Sequence, residues 1–379
     1  MKLITIIICI CFFLSWFIFQ PFQVLPTSVL PTSTEMPFKE ISLPLDGILI
    51  TINPKTLLKQ IDAVLAYFQL YKTQDPEAIK PGLLSQLGIS LEDVEDTLRF
   101  LKETISEDIN KGTKSRLEDP QFLQNYFRFI QWHPQNQPPT DAQTTEKIKI
   151  TKYAVFTIDG CRKKTDSFNY ALYGLPDDEK GMSPQEAEKH KDHLSRYRYS
   201  RRQVLDGIYD KGGAEPLIWV TRQGLEEALM EGTICVNIPG NDKLYFNVDR
   251  GNGILYDPMA KCPRDQERYW YFGRVQQPQG HGLDINSQMP IYAGAALAGD
   301  IYNLGLGKVM GIFYSDPNSN RKKMIIGVLA DTGGAFDSNL YQLDYYLGVL
   351  PSKKKFNRII KTLPEFADVY FFIKKPKAF

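Results

Sequence analysis

Apolar and polar positions alternate along this chain with two different periods, and the change from one to the other falls near residue 148. Before that point, apolar residues recur every three or four positions in three stretches, the period of a helix with one buried face. Asn53-Pro54, Ser90 with Asp93 three residues later, and Asp119-Pro120 are typical helix starts. The apolar stripe of the third helix runs from Phe122 to Ile130. We assign all three stripes to a buried core.

After residue 148 the pattern changes to short runs of β-branched and aromatic residues, separated by turns rich in Gly, Pro, Asn and Asp. The predicted strands are Ile148–Phe156, Leu217–Val220, Thr233–Ile238, Leu244–Val248, Tyr269–Phe272, Val309–Tyr314, Met324–Leu329 and Val369–Ile373. Residues 178–202 are rich in charge, and we expect an exposed insertion there. The pattern therefore predicts a mainly β fold with N-terminal helices, an α+β class, and favours barrels over a parallel α/β sheet.

The N-terminal segment carries one charge, Lys2, ahead of an apolar run over residues 3–19. This run is long for a signal-peptide core and marginal for a transmembrane helix. We interpret residues 1–20 as a signal peptide or a membrane anchor with Lys2 in the cytoplasm, and residues 21–40 as a Pro/Ser/Thr linker. Both interpretations predict an exported protein of the periplasm or another part of the cell envelope, including one tethered to a membrane by residues 3–19.

Composition narrows the classes of function. The 379 residues suffice for two or three domains, and 45 Lys+Arg against 44 Asp+Glu give no reason to expect a nucleic-acid partner. An aromatic content of 12% suits β-structure or a carbohydrate-stacking cleft. Cys161, Cys235 and Cys262 lack the spacing of metal ligands and allow at most one disulfide. The sequence therefore predicts no metal site and no cofactor, and it leaves the oligomeric state open.

Several motifs that resemble functional sites have simpler explanations. His190 and His193 lie in a run of charges, which predicts a solvated face. Gly305–Lys308 lacks the spacing of a phosphate-binding loop, and no G-x-S-x-G motif supports a serine hydrolase. Lys353–Lys355 is most simply a solvated turn. The candidate chemistry therefore rests on carboxylates in the last hundred residues.

Asp300, Asp331 and Asp344 each lie at or near the end of an apolar run that reads as a strand. A buried carboxylate is costly unless it is paired, hydrogen-bonded or neutral. If the fold brings these three together, repulsion raises at least one pKa, and an acid protonated near neutral pH can act as a general acid. Structural, hydrogen-bonded aspartates and a cation site are the alternatives. Gly333-Gly334, just after Asp331, allows a sharp turn or close approach of a ligand.

These residues resemble the three-aspartate signature of the membrane-bound lytic transglycosylase A family. The signature has an aspartate in a small and apolar stretch, here Asp300, followed by D-T-G-G-A at Asp331–Ala335. Its third aspartate enters an aromatic run that ends in glycine, here Asp344–Gly348. Weaker similarities, such as Phe168–Pro176 and Arg268–Phe272, extend the resemblance from about residue 50 to the C-terminus.

The resemblance implies a double-psi β-barrel, with a smaller β-domain inserted into it and a peptidoglycan glycan strand bound in the groove between them. Residues 41–165 and 275–379 would form the barrel domain, and residues 166–274 the insertion. The implied reaction cleaves the bond from N-acetylmuramic acid to N-acetylglucosamine and leaves a 1,6-anhydromuramoyl end. By position, Asp344 is the implied acid/base, with Asp331 and Asp300 as its supporting neighbours.

The implied sugar-binding residues are Thr157, Glu231, Gly232, Thr233, Gly333 and Gly334. Two of these segments differ from the family pattern. Gly-Tyr-Tyr-x-Pro is replaced by the segment Thr157–Arg162, so both sugar-contacting tyrosines are missing, and Gln-Gly-Ser is replaced by Glu231–Thr233. Two hypotheses follow: a peptidoglycan lytic transglycosylase with an altered substrate fit, or a weak or inactive peptidoglycan-binding scaffold of the same fold.

Overall fold

A computed structural model describes residues 36–376, apart from residues 136, 138–145, 241, 256, 258 and 317–318. The predicted export segment lies outside the described residues. The linker, predicted to continue to residue 40, ends earlier, because residues from Phe38 onward already pair in a sheet. In the described part of the chain, no helix is both long enough and apolar enough to cross a bilayer.

Fourteen strands form within the described residues. They are β1 (Phe38–Ile41), β2 (Leu49–Thr51), β3 (Phe127–Trp132), β4 (Ile148–Cys161), β5 (Tyr170–Pro176), β6 (Ala214–Val220), β7 (Thr233–Ile238), β8 (Asp242–Gly251), β9 (Trp270–Val275), β10 (Ala296–Ala298), β11 (Val309–Ser315), β12 (Lys322–Asp331), β13 (Gln342–Leu350) and β14 (Phe366–Lys374). The predictions of strands are confirmed in position, and several strands are longer than their apolar runs. The prediction of a mainly β fold with helices near the N-terminus is also confirmed.

The helices of the described residues are mostly short after residue 120. They are α1 (Pro54–Tyr71), α2 (Leu91–Lys111), α3 (Pro120–Tyr126), α4 (Pro184–Lys189), α5 (Ser195–Arg198), α6 (Arg201–Leu205), α7 (Arg222–Glu231), α8 (Ile301–Leu304) and α9 (Lys353–Ile360). The predicted starts are confirmed: Asn53 accepts a hydrogen bond from the Thr56 N–H at 3.2 Å, and Ser90 and Asp93 form a reciprocal capping box.

The predicted third helix is too long. It ends at Tyr126, because Phe127–Trp132 forms strand β3 between β1 and β14. Phe129 packs edge-to-face on Phe372 of β14, with ring centroids 5.1 Å apart. Aromatic and β-branched residues fit a pleated surface well, so pairing with a strand distant in sequence overrides the helical period here.

Strand β4 passes from one hydrophobic core to another. Its first part pairs in parallel with β13, and its last part pairs with β7 and β6. The main core contains Ile148, Ile150 and Val155 of β4, together with α1, α2 and the strands of the two ends of the chain. The second core contains Ala154 and Phe156, with strands β5–β9 and α7. The double-psi crossing and the domain limits at residues 166 and 274 stay predictions.

The prediction of an exposed insertion over residues 178–202 is wrong for Glu179 near its start and for Arg196 and Arg201 near its end, which are buried. Glu179 is fully buried and accepts hydrogen bonds from Arg196 Nε at 2.7 Å and from Arg250 Nη1 at 2.8 Å. Two guanidinium partners balance the buried carboxylate. His190 and His193, in contrast, are exposed as predicted.

Candidate active site

Four strands place the candidate residues in one row. Ala298 of β10 pairs with Asp331 of β12 on one side and with Asp344 of β13 on the other. Asp344 in turn pairs with Thr151 of β4. Residues directly opposite each other project from the same face of a sheet. Strands lie about 4.8 Å apart, so the Cα atoms of the two aspartates are roughly 10 Å apart, with only the Ala298 methyl between them.

Asp344 is partly buried, and burial raises its pKa from 3.8 to about 6. The Thr151 hydroxyl, the Tyr345 backbone N–H and the Lys152 ammonium act in the opposite direction and lower this pKa. One carboxyl oxygen, Oδ1, has no hydrogen-bond partner among the described residues. Asp344 can therefore carry a proton in mildly acidic solution, and its Oδ1, which is buried, is not engaged by another described residue.

Asp331 is held more firmly than Asp344. Burial raises its pKa to about 7, and the nearby charge of Asp344 adds to the effect. The Tyr153 hydroxyl donates to Oδ2 at 2.8 Å, and the Thr332 backbone N–H donates to Oδ1 at 2.8 Å. Both oxygens are thus occupied. Of the two aspartates, Asp344 is the one with a free oxygen.

Asp300 has a separate set of partners. It caps α8: the backbone N–H of Asn303 donates to Oδ1 at 3.0 Å, and Asn303 Nδ2 donates to Oδ2 at 2.7 Å. The backbone N–H of Asn339 also donates to Oδ2, at 3.1 Å. Burial raises the pKa of Asp300, and Asp337 adds a smaller effect. Asp300 therefore fastens the loop between Asp331 and Asp344, and its hydrogen bonds reach neither of those carboxyls.

Glu231 lies at the end of α7, in a cleft of about 310 Å³ that Lys152, Tyr153 and Lys353 also line. Burial raises the pKa of Glu231 to about 7. The Lys353 ammonium lowers it, and the charge of Asp344 raises it. The cleft that contains Glu231 is thus within electrostatic reach of Asp344, and it lies where the two cores meet.

Thr157 lines a neighbouring cleft of about 450 Å³. Residues 156–159 of β4 form one wall, and the starts of α7 and α9 form the others. Lys353–Lys355 are exposed, as predicted, but they form the first turn of α9 instead of a turn between elements. Lys353 lines both clefts, as does Phe156. The segment that replaces Gly-Tyr-Tyr-x-Pro therefore faces a polar cleft.

The glycine positions differ from one another. Gly232 ends α7 with a positive φ of 73°, and the hydroxyl of Thr233 is hydrogen-bonded to Asn247. Gly333 and Gly334 are exposed, and neither has a positive φ. A Cβ at Gly333 or Gly334 would meet no atom within 4 Å. A turn that only glycine can make is thus not the reason for these two residues, and open space beside them remains available to a ligand.

Sequence reasoning missed three residues of β4: Thr151, Lys152 and Tyr153. They are polar or amphipathic residues inside an apolar strand, which is the signal that could have indicated them. Their relation to the aspartates arises only when β4 pairs with β13. Lys152 Nζ also donates a hydrogen bond to the Ile150 carbonyl at 2.8 Å. This bond keeps the ammonium group next to Thr151, the residue that pairs with Asp344.

Other candidate sites stay without support. Lys308 of the phosphate-loop-like segment is buried, and its Nζ donates to the carbonyls of Lys80 at 2.9 Å and Leu306 at 3.2 Å. Within the described residues, no three His, Cys, Asp or Glu side chains form a metal-binding group. Cys161, Cys235 and Cys262 are free thiols.

The solved structures that this chain resembles in fold include lytic murein transglycosylases. The enzyme from Agrobacterium tumefaciens is 16% identical, with a TM-score of 0.61 over 89% of this chain and 97% of that chain. MltA from Escherichia coli, solved with bound chitohexaose, is 15% identical, with a TM-score of 0.56 over 91% and 96%. MltA from Neisseria gonorrhoeae is 13% identical, with a TM-score of 0.57 over 93% and 96%. No family model and no curated protein matches the sequence. The similarity to this family's fold, which the aspartate signature implied, is thereby confirmed, and the double-psi barrel stays a prediction.

Proposed function

We propose that this protein is an exported peptidoglycan lytic transglycosylase with Asp344 as its acid/base. The observation that carries the proposal is the state of that carboxyl. Burial raises its pKa to about 6, its buried Oδ1 has no partner among the described residues, and Lys152, whose charge acts on it, lines the cleft where the two cores meet. A general acid needs such a pKa and a free oxygen.

In the proposed reaction, protonated Asp344 donates its proton to the glycosidic oxygen between N-acetylmuramic acid and N-acetylglucosamine. The bond from that oxygen to C1 breaks, and positive charge develops on the muramoyl ring. The Asp344 carboxylate then accepts the proton of the muramoyl 6-hydroxyl, whose oxygen bonds to C1. The product has a 1,6-anhydro end, the carboxyl is again protonated, and no second catalytic carboxyl is required.

Asp331 and Lys152 have opposite effects on the acid. Lys152 favours the ionised carboxyl that accepts a proton. The charges of Asp331 and Asp344 disfavour each other, so a proton on one favours ionisation of the other. We assign Asp331 as a supporting residue. Asp300 supports the site indirectly, through its hydrogen bond to the Asn339 backbone.

The glycan strand would follow the two clefts along β4. Glu231 and Thr157 line them, and Gly333 and Gly334 offer open backbone next to Asp331. Gly232 and Thr233 would act by placing Glu231. The Escherichia coli protein with bound chitohexaose supports a glycan as the ligand. Export to the envelope and tethering by residues 3–19 are part of the proposal, and the reaction calls for no cofactor.

The test uses the full chain and purified sacculi. The wild type is expected to release muropeptides with 1,6-anhydro ends, detected by mass spectrometry. Asp344→Asn should release none while keeping its circular dichroism spectrum. Absence of anhydro product from the wild type, under conditions in which a known enzyme works, would overturn the proposal.

A second candidate is a weak or inactive peptidoglycan-binding scaffold. The observation that favours it is the loss of both tyrosines at Thr157–Arg162, where the structure has a polar cleft wall instead. A scaffold should sediment with sacculi and release no soluble product at any pH. Release of anhydro product would exclude it.

A further inference from the structure

Helix α9 and the residue after it carry a dense set of exposed cations. They are Lys353, Lys354, Lys355, Arg358 and Lys361. Lys353 pairs with Glu227 of α7 at 3.4 Å. The other four have no carboxylate within ion-pair distance among the described residues. The positive charge of this helix is therefore largely unneutralised by the protein itself.

Three of these cations, Lys353–Lys355, do not serve the stability of the helix. They form the first turn of α9, which has no acidic residue, and the N-terminal end of a helix carries partial positive charge that disfavours cations. Arg358 lies in the last turn, where a cation is favourable. Residues that oppose the charge preference of a helix end and make no compensating contact are common at functional surfaces.

The wall of the cleft beside this turn is balanced in charge. Lys353 and Lys354 line it, together with the carboxylates Glu227 and Asp159. Glu227 is already engaged by Lys353, and Asp159 accepts a hydrogen bond from Asn237 Nδ2 at 3.4 Å. The excess positive charge lies on α9, where Lys354, Arg358 and Lys361 are spaced by four and three residues and so share one face of the helix. Because this face begins at the cleft with Lys354, it favours an anionic ligand.

The position of the cleft indicates which part of a cell-wall polymer would enter it. Lys353 and Phe156 separate it from the smaller cleft that contains Glu231. A substituent of the sugar bound near Asp344 could therefore pass from the smaller cleft into the larger one. In peptidoglycan, that substituent is the stem peptide on the muramoyl lactyl group, which carries several carboxylates.

We propose that the cleft between β4, α7 and α9, with the cationic face of α9 at its rim, binds the acidic stem peptide of peptidoglycan. This inference rests on the proposed function. On this inference, the polar wall at Thr157–Asp159 makes the protein bind glycan strands that carry peptides in preference to strands without peptides. Opposite charges across such a rim add specificity and are weakened by salt.

The test measures binding separately from turnover, in full-length Asp344→Asn protein. Co-sedimentation is compared on intact sacculi and on glycan strands from which an amidase has removed the peptides. Three rim charges worth about 0.2–1 kcal/mol each predict roughly a tenfold preference for the peptide-bearing polymer at low salt. The triple variant Lys354→Glu, Lys355→Glu, Arg358→Glu should lose that preference.

The matched control replaces three exposed lysines on other elements, Lys39→Glu, Lys55→Glu and Lys322→Glu, and should keep the preference. Equal binding of both polymers by the parent protein would overturn the inference, as would a preference that survives in the α9 variant. A third result would also overturn the inference. If the α9 variant lost binding to phosphatidylglycerol vesicles but kept the preference for sacculi, the helix would be assigned to a membrane. Failure of the proposed function would appear separately, as absence of anhydro product from the wild type.

Discussion

Replacing Asp344 with asparagine is expected to stabilise the folded protein above about pH 7 while abolishing its activity. Burial raises the pKa of Asp344 from 3.8 to about 6, so the folded state holds the ionised carboxyl less favourably than the unfolded chain does. At about 1.36 kcal/mol for each pH unit, the difference amounts to about 3 kcal/mol. The amide keeps the shape of the side chain and has no charge to bury.

An acid whose pKa is raised by folding contributes stability that is fully present below the unfolded pKa of 3.8 and is lost as the pH rises through about 6. Asp331 and Glu231, each with a pKa near 7, titrate in wild type and mutant, and in the mutant they lose only the smaller part of the shift that the Asp344 charge causes. Subtracting the wild-type curve of unfolding free energy against pH from the mutant curve removes most of the contribution of Asp331 and Glu231. The free energy of unfolding of Asp344→Asn minus that of the wild type should therefore rise by about 3 kcal/mol between about pH 4 and about pH 8.

Urea unfolding followed by tryptophan fluorescence measures this difference at both pH values, and release of anhydro muropeptides measures activity. Asp46→Asn, at an exposed carboxylate on a loop, is the control and should leave both curves parallel to the wild type. Two results would refute the claim that burial raises the pKa of Asp344. One is a mutant no more stable than the wild type at about pH 8, and the other is a difference in unfolding free energy that does not depend on pH.

Three further substitutions test the surroundings of the acid/base, and a fourth, Gly333→Ala, serves as their control. Lys152→Met should raise the pKa of the acid/base and move the basic limb of the pH–activity profile to higher pH, since the ammonium lowers that pKa; an unmoved limb would contradict this. Tyr153→Phe removes the 2.8 Å hydrogen bond to Asp331 and should lower the free energy of unfolding in urea by about 1–3 kcal/mol. Gly280→Ala places a Cβ 3.2 Å from that of Asp331 and 2.7 Å from a backbone oxygen, and should cost roughly 1–3 kcal/mol in the same assay. Gly333→Ala, with open space around it, should be close to neutral in stability.

Local signals in the sequence predict the helix starts well, because a cap is made by residues three positions apart. The helix starts predicted at Asn53 and Ser90 are correct for that reason. The end of the third helix depends instead on β14, more than 200 residues away, which draws Phe127–Trp132 into a sheet. The charges around Glu179 look like a solvated surface until Arg250, from another strand, completes their neutralisation.

For the candidate site, too, the sequence predicts the local features and misses the contacts made by distant strands. The order of Asp331 and Asp344 at strand ends is visible in the chain, and the sheet register places both opposite Ala298. The different states of the two carboxyls are not visible, because Tyr153 and Lys152 reach them from a strand about 190 residues earlier. The third aspartate, Asp300, shares the motif and has a different task, as the cap of α8.

Strand β4, common to both cores, also constrains the order in which the chain can fold. The second core comes almost entirely from one continuous stretch, residues 154–272, so its strands close comparatively short loops. Strand β13 must reach β4 across a separation of 192 residues, as between Thr151 and Leu343, which costs more chain entropy. We expect the second core to form first and to present β4 as a template for β13. The proposed acid/base then reaches its position in one of the last steps, so a partly folded chain does not yet have the candidate site.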